Sequence, residues 1–196
     1  MRLTLVGVGA MNSPRFAPAG LLVRHNRGTV LLDGALPPGG LRLDAWLVCD
    51  PRSELRTVIR AHAAEIGLTP TVSAFSRYGL TLTPCLVEHT SHPTYGYTIQ
   101  TRHSLAVWAP EFWTFPSWAS GARIMFAEAA GWDRPIRFRG GVGGHAGALS
   151  VCEAARAHGV ARLILAHIGR PSIRALDAGL PLPFGEWGVE GTTYAP

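Results

Sequence analysis

Short aliphatic and β-branched runs, broken by turn residues and mixed with two helix-like segments, are what most restrict the fold of this chain. Residues 2–6 alternate and turn at Gly7–Gly9, and residues 21–25 and 29–32 read as strands joined by an Asn26-Arg27-Gly28 hairpin turn. Asp33-Gly34 ends that second strand, Pro37-Pro38-Gly39-Gly40 is a loop, and residues 45–48 form a buried strand stopping at Cys49-Asp50. Residues 53–67 predict a helix, with Ser53 as cap, Leu55, Val58, Ile59 and Ile66 at helical spacing, and Gly67 as its stop. Strands follow at residues 71–75, 80–87, 95–100, 105–108 and 121–126. A glycine-rich loop over 139–144 leads into a second helix over 146–158, closed by Gly159, and residues 161–168 form a very apolar last core strand. The tail over 181–196 is rich in Pro and Gly and holds one edge strand. Strands and helices mixed through both halves predict one α/β layered domain over 1–196.

At 196 residues, with 47% apolar and 16% charged residues, the chain can build one core and is not of disordered composition. Its apolar runs fall well short of the ~20 residues a bilayer span requires, and MRLTLVGVGA reads as a strand and turn rather than a secretory signal. Cys49, Cys85 and Cys152 are too few and too scattered for a disulfide framework or zinc knuckle, which points to a reducing cytoplasm. All 18 basic residues are Arg, and the net charge is +5. That excess fits either a biased genomic base composition or a surface that attracts phosphates, although only Arg134, Arg137 and Arg139 cluster.

Polar residues stand at the ends of the apolar strands, where layered α/β folds place their ligands. Asp33 follows Val30-Leu31-Leu32, Asp50 follows Leu47-Val48-Cys49, His89 follows Leu86-Val87-Glu88, and His167 follows Leu163-Ile164-Leu165-Ala166. Glu111 comes just after Ala106-Val107-Trp108, and His145 stands at the expected start of the second helix. Singly, each reads as a turn or capping residue; together they form a converging site.

In order along the chain, MRLTLVGVGA, Thr29-Val30-Leu31-Leu32-Asp33-Gly34, Pro84 to Tyr97 and Gly144-His145 through to Arg162-Leu163-Ile164-Leu165-Ala166-His167 resemble the motifs of the metallo-β-lactamase fold, in its ribonuclease Z and cyclic-phosphodiesterase-like branch. The resemblance covers nearly the whole chain and implies a four-layer αβ/βα sandwich. It also implies that His89 and His167 correspond to metal ligands, Glu111 to the bridging acid, and His145 to the proton donor. The sequence departs from the family at HxHxDH: Asp50, Arg52 and Leu55 stand where its histidines belong, and Glu54 stands for its aspartate. Arg52 puts a fixed positive charge where a dication would sit.

Half a site is therefore expected. His89, Glu111 and His167 are of the types that hold one zinc, manganese or iron, and Asp50 adds a further oxygen ligand. The competing reading is that these residues are packed, metal-free remnants. His145 is expected to act as general acid. Asp33, Arg52, Glu54 and Trp113 are expected to meet substrate, with the aromatic stretch Phe112, Trp113, Phe115 and Trp118 as a stacking wall. His25, His62, His92, His103 and His158 are expected to be surface or structural residues. Only Thr101-Arg102-His103-Ser104 separates the strands between which transfer-RNA-processing relatives carry an RNA-gripping arm, so transfer RNA is not the expected ligand. Two functions remain open: an atypical phosphodiesterase-like hydrolase with at most one metal, acting on a small anionic or planar substrate or short phosphodiester, and an inactive homologue that binds a ligand or partner in the old pocket. A homodimer suits either; a membrane partner suits neither.

Overall fold

Period-two burial begins the fold: β1 (Arg2–Gly7) buries Leu3 and Leu5. The computed structural model describes residues 1–35 and 41–196, so the loop expected at Pro37-Pro38-Gly39-Gly40 lies outside the described residues. After β1 come β2 (Gly20–His25), β3 (Gly28–Asp33), β4 (Ala45–Leu47) and helix α1 (Arg56–Glu65). There follow β5 (Phe75–Arg77), β6 (Leu80–Val87), β7 (Thr94–Thr101), β8 (Ser104–Ala109) and β9 (Ile124–Ala129). The chain continues through β10 (Ile136–Arg137), β11 (Gly144–His145), α2 (Ala148–Ala157), β12 (Leu163–Ile168) and α3 (Arg170–Asp177), then β13 (Glu186–Trp187) and β14 (Thr193–Tyr194).

Two sheets face one another. One has the order β14-β1-β2-β3-β4, and the other β13-β12-β9-β8-β7-β6-β5. Leu3, Leu21, Val30 and Leu47 from the first sheet join Leu82, Tyr97, Ile99 and Phe126 from the second in one core. Ile59 and Ala63, four residues apart on α1, pack with Leu22, Leu31 and Trp46 on the outside of the first sheet. Val151, Cys152 and Ala155 of α2 and Ile173 of α3 join the main core from the other side. The result is the expected four-layer αβ/βα sandwich.

Several expectations need correction. Ser53 does not cap α1: Leu55 is the N-cap residue and no side chain bonds there, while Ile66 and Val58, 41% and 51% exposed, lie off its buried face. At residues 71–75 only an isolated bridge at Thr71 precedes β5, which starts at Phe75. The strand expected at 121–126 starts three residues later and runs to Ala129. The glycine loop closes the β10–β11 hairpin, so His145 lies on a strand and Gly147 is the N-cap of α2. α3 was not expected, and the tail gives two short strands rather than one. Thr101 pairs with Ser104, so Arg102-His103 alone joins β7 to β8.

Candidate functional site

Strands β8, β9 and β12 are neighbours and parallel, so their C-terminal ends open on the same edge. Glu111 follows the end of β8, Glu128 lies near the end of β9, and His167 near the end of β12. His89 follows β6, and the β10–β11 hairpin brings in His145. From the facing sheet, β3 and β4, also mutually parallel, contribute Asp33 and Asp50. The backbone at His167 is left-handed, φ 62°, a conformation that costs a β-substituted residue free energy. It is held by the bonds Ile168 N to Val8 O at 2.6 Å and Ala10 N to Ile168 O at 3.1 Å.

Glu128 organises the histidines and was missed by sequence reasoning. Its carboxylate is fully buried and accepts four donors. Oε1 takes Ala130 N at 2.7 Å and His167 Nδ1 at 3.2 Å, and Oε2 takes Phe112 N at 3.2 Å and His145 Nδ1 at 2.7 Å. The available signal was a lone acid in the apolar run Ile124-Met125-Phe126-Ala127-Glu128-Ala129, and ending the strand at Phe126 hid it. Burial pushes the Glu128 carboxyl up, but His145 and His167 outweigh it and hold it down at about 2. A carboxylate only accepts, so the Nδ1 atoms of both histidines carry hydrogen.

On their other side the imidazoles meet Glu111. His167 Nε2 lies 2.9 Å from Glu111 Oε1, and His89 Nε2 lies 3.4 Å from Oε2. His89 Nδ1 donates to the Gly144 carbonyl at 2.8 Å, which leaves its Nε2 aimed at Glu111. Burial raises the Glu111 carboxyl, yet His167, His89 and His145 together hold it at about 2. Burial lowers the His167 imidazole, but Glu111 and Glu128 overcome this and push it up to about 10. Glu128, His145 and His167 each offer a ligand atom within 4.8 Å of the others, a group able to hold a metal ion.

His89, Glu111, His145 and His167 line an open cleft of about 470 Å³, with Glu128 buried beneath it. Asp50, Arg52 and Glu54 stand on it as well, with Arg170 at the start of α3. Both Asp50 oxygens lie near His92 Nε2, at 2.9 and 3.0 Å, and Oδ1 also accepts Arg52 N at 2.7 Å. His92, expected to be a surface or structural residue, belongs to the cleft. Asp33 sits behind, lining a recess of about 40 Å³. Its oxygens accept Cys49 N and Trp108 Nε1, both at 2.8 Å, and burial lifts its carboxyl to about 6. Nor does Trp113 line the cleft; Arg137 lies over its ring, 5.1 Å from the centroid. Phe112 is fully buried, and the aromatic wall is instead Phe138, edge-on to His89 at 5.2 Å and to His145 at 5.3 Å.

The fold is that of the metallo-β-lactamases. The chain superposes with a TM-score of 0.74 on the metallo-β-lactamase fold protein YhfI from Bacillus subtilis, at 13% identity over 99% of both chains. A diphosphatase of the PhnP family matches with a TM-score of 0.69 and 17% identity, over 99% of this chain and 97% of that one. The short form of human tRNase Z matches at 0.65 and 10% identity, over 100% of this chain and 99% of its own. At such identities the likeness is one of fold. No protein family and no curated protein matches the sequence.

Proposed function

We propose that this chain is a metal-dependent hydrolase of reduced type, holding one cation and cleaving a small anionic phosphodiester. One observation carries the reading: Glu128 fixes the Nδ1 sides of His145 and His167 while Glu111 faces the Nε2 atoms of His167 and His89. Two imidazoles and a carboxylate, their outer nitrogens already occupied, have the chemistry of a zinc, manganese or iron site. His89, His167 and Glu111 are the residues that would hold the ion. Glu128 is a poorer ligand, because four donors already fill its oxygens. A cation there supplies Lewis-acid polarisation of a substrate oxygen and makes a nearby water more acidic.

The chain's own residues do the rest. His145 serves as the proton donor to the leaving-group oxygen through Nε2, and Glu128 holds the ring by its bond to Nδ1. Arg52 and Arg170 border the cleft and match the charge of a phosphoryl group. Phe138 and Ile136 give an apolar side for an ester substituent. That a structural neighbour is named as a diphosphatase supports a phosphoryl substrate. The two-residue β7–β8 turn leaves no RNA-gripping arm at that place, which argues against transfer RNA. Arg52, with its fixed charge, opposes a second dication on the far wall.

The test is turnover of bis(4-nitrophenyl) phosphate by the purified chain supplied in turn with zinc, manganese and iron(II). The reading expects activity with at least one metal and its loss in His167→Ala. Absence of turnover with all three overturns it in favour of a binding protein, the reading that the internally paired Asp50 and His92 favour.

A further inference from the structure

The cleft that holds Glu111 and its histidines also holds an acid–imidazole pair, Asp50 and His92, to which the reaction above gives no task. Asp50 follows the end of β4 and His92 lies in the turn between β6 and β7, so the two sheets each supply one member. His92 Nε2 lies 2.9 and 3.0 Å from the two Asp50 oxygens. Because a carboxylate only accepts, Nε2 carries the hydrogen and the lone pair is left on Nδ1. His92 Nδ1 has no hydrogen-bond partner among the described residues, and it is not a buried orphan either, so it is open to water. A carboxylate behind an imidazole fixes the tautomer and stabilises the imidazolium, the arrangement a base needs.

We propose that His92, positioned by Asp50, is the general base of this hydrolase: a proton-accepting pair stands where the chelating HxHxDH segment is lost. This rests on the hydrolase reading above. A cleft water gives one proton to His92 Nδ1 as its oxygen bonds to phosphorus. The bond from phosphorus to the leaving alcohol breaks, and the departing oxygen takes the proton of the His145 imidazolium. The products are an alcohol and a phosphomonoester, and exchange with solvent returns both imidazoles to their starting states. The charged and titratable groups sharing the cleft with the pair are Arg52, Glu54, Glu111, His89, His145, His167 and Arg170.

The test uses the metal-loaded full chain, bis(4-nitrophenyl) phosphate, and the variants His92→Ala and Asp50→Asn, with metal content and thermal midpoint measured on each. His92→Ala is expected to lower kcat about 10²- to 10³-fold, with KM changed by less than about threefold and metal content unaltered. Added imidazole is expected to restore part of the rate, which a purely structural role for His92 does not allow. Asp50→Asn is expected to keep the fold and to lower kcat, by no more than His92→Ala does. Unchanged kcat, absence of imidazole rescue, or loss of the metal along with the side chain overturns the proposal. If the alanine variant does not fold, His92→Gln is expected to show the same loss of kcat with KM and metal content unchanged, and an unchanged kcat there overturns the proposal. An active wild type with equally active variants removes only the base; an inactive wild type removes the hydrolase reading and the base together.

Discussion

Glu128 Oε2 accepts the Nδ1–H of His145 at 2.7 Å, on a carboxylate with no exposure to solvent. Glu128 serves His167 in the same way through its other oxygen, so one side chain sets two imidazoles. Glu128→Ala strips partners from two imidazoles and from the Phe112 and Ala130 amides, and is expected to cost about 3–5 kcal/mol. Glu128→Gln keeps the volume but turns an amide NH₂ toward donors, and is expected to weaken metal binding about 10- to 100-fold. Urea unfolding and metal titration of both variants check this.

The pH dependence of the metal-free chain follows from the same contacts. Glu111 and Glu128 are held at about 2 against an ordinary 4.5, so their stabilisation is complete above 4.5 and lost as pH falls toward 2. His167 is raised to about 10 from an ordinary 6.5, so its contribution is complete below 6.5 and lost as pH rises through 10. Asp33, lifted to about 6 from 3.8, takes stability away as pH rises between those values, so stability measured by urea midpoints is expected to be greatest near pH 4.5 and to fall on both sides. A midpoint still rising between pH 7 and 9 contradicts the ion-paired His167.

Gly143 and Gly144 bring the hairpin against its neighbours: a Cβ on Gly143 overlaps the His89 carbonyl, and one on Gly144 overlaps that of Ile136. Gly144→Ala is expected to lift the strand that carries His145, destabilising the chain by about 1–3 kcal/mol and lowering kcat far more than KM. Circular dichroism melts with steady-state kinetics separate the two effects.

Phe138 rather than Trp113 is expected to govern substrate fit. Phe138→Ala removes the ring that meets both His89 and His145 and is expected to raise KM about tenfold. Trp113→Ala takes away the ring beneath Arg137 and is expected to change KM less. Paired KM measurements decide between them.

Much of the fold was legible because short apolar runs, alternating in β1 and continuous in β9 and β12, are stopped by turn residues where expected, as at Asn26-Arg27-Gly28 and Asp33-Gly34. β13 and β14 are two residues each, too short to show a period. α3 buries only Ser172, Ile173 and Ala175, a face with a single large apolar residue. At the site, His89, Glu111 and His167 were readable at the ends of apolar runs and His145 behind the glycine loop, and the four do share a cleft. Glu128 was hidden because a carboxylate inside an apolar strand looks like an edge residue until its four donors are seen. Asp50 and His92 are 42 positions apart and come from different sheets, so only the folded chain shows the pairing.

Metal stoichiometry of the purified chain tests the account most directly. Elemental analysis after dialysis against zinc, manganese or iron(II) is expected to give close to one ion per chain for the wild type and far less for His167→Ala and Glu111→Ala. No ion in the wild type, or two per chain, contradicts a single centre held by His89, His167 and Glu111.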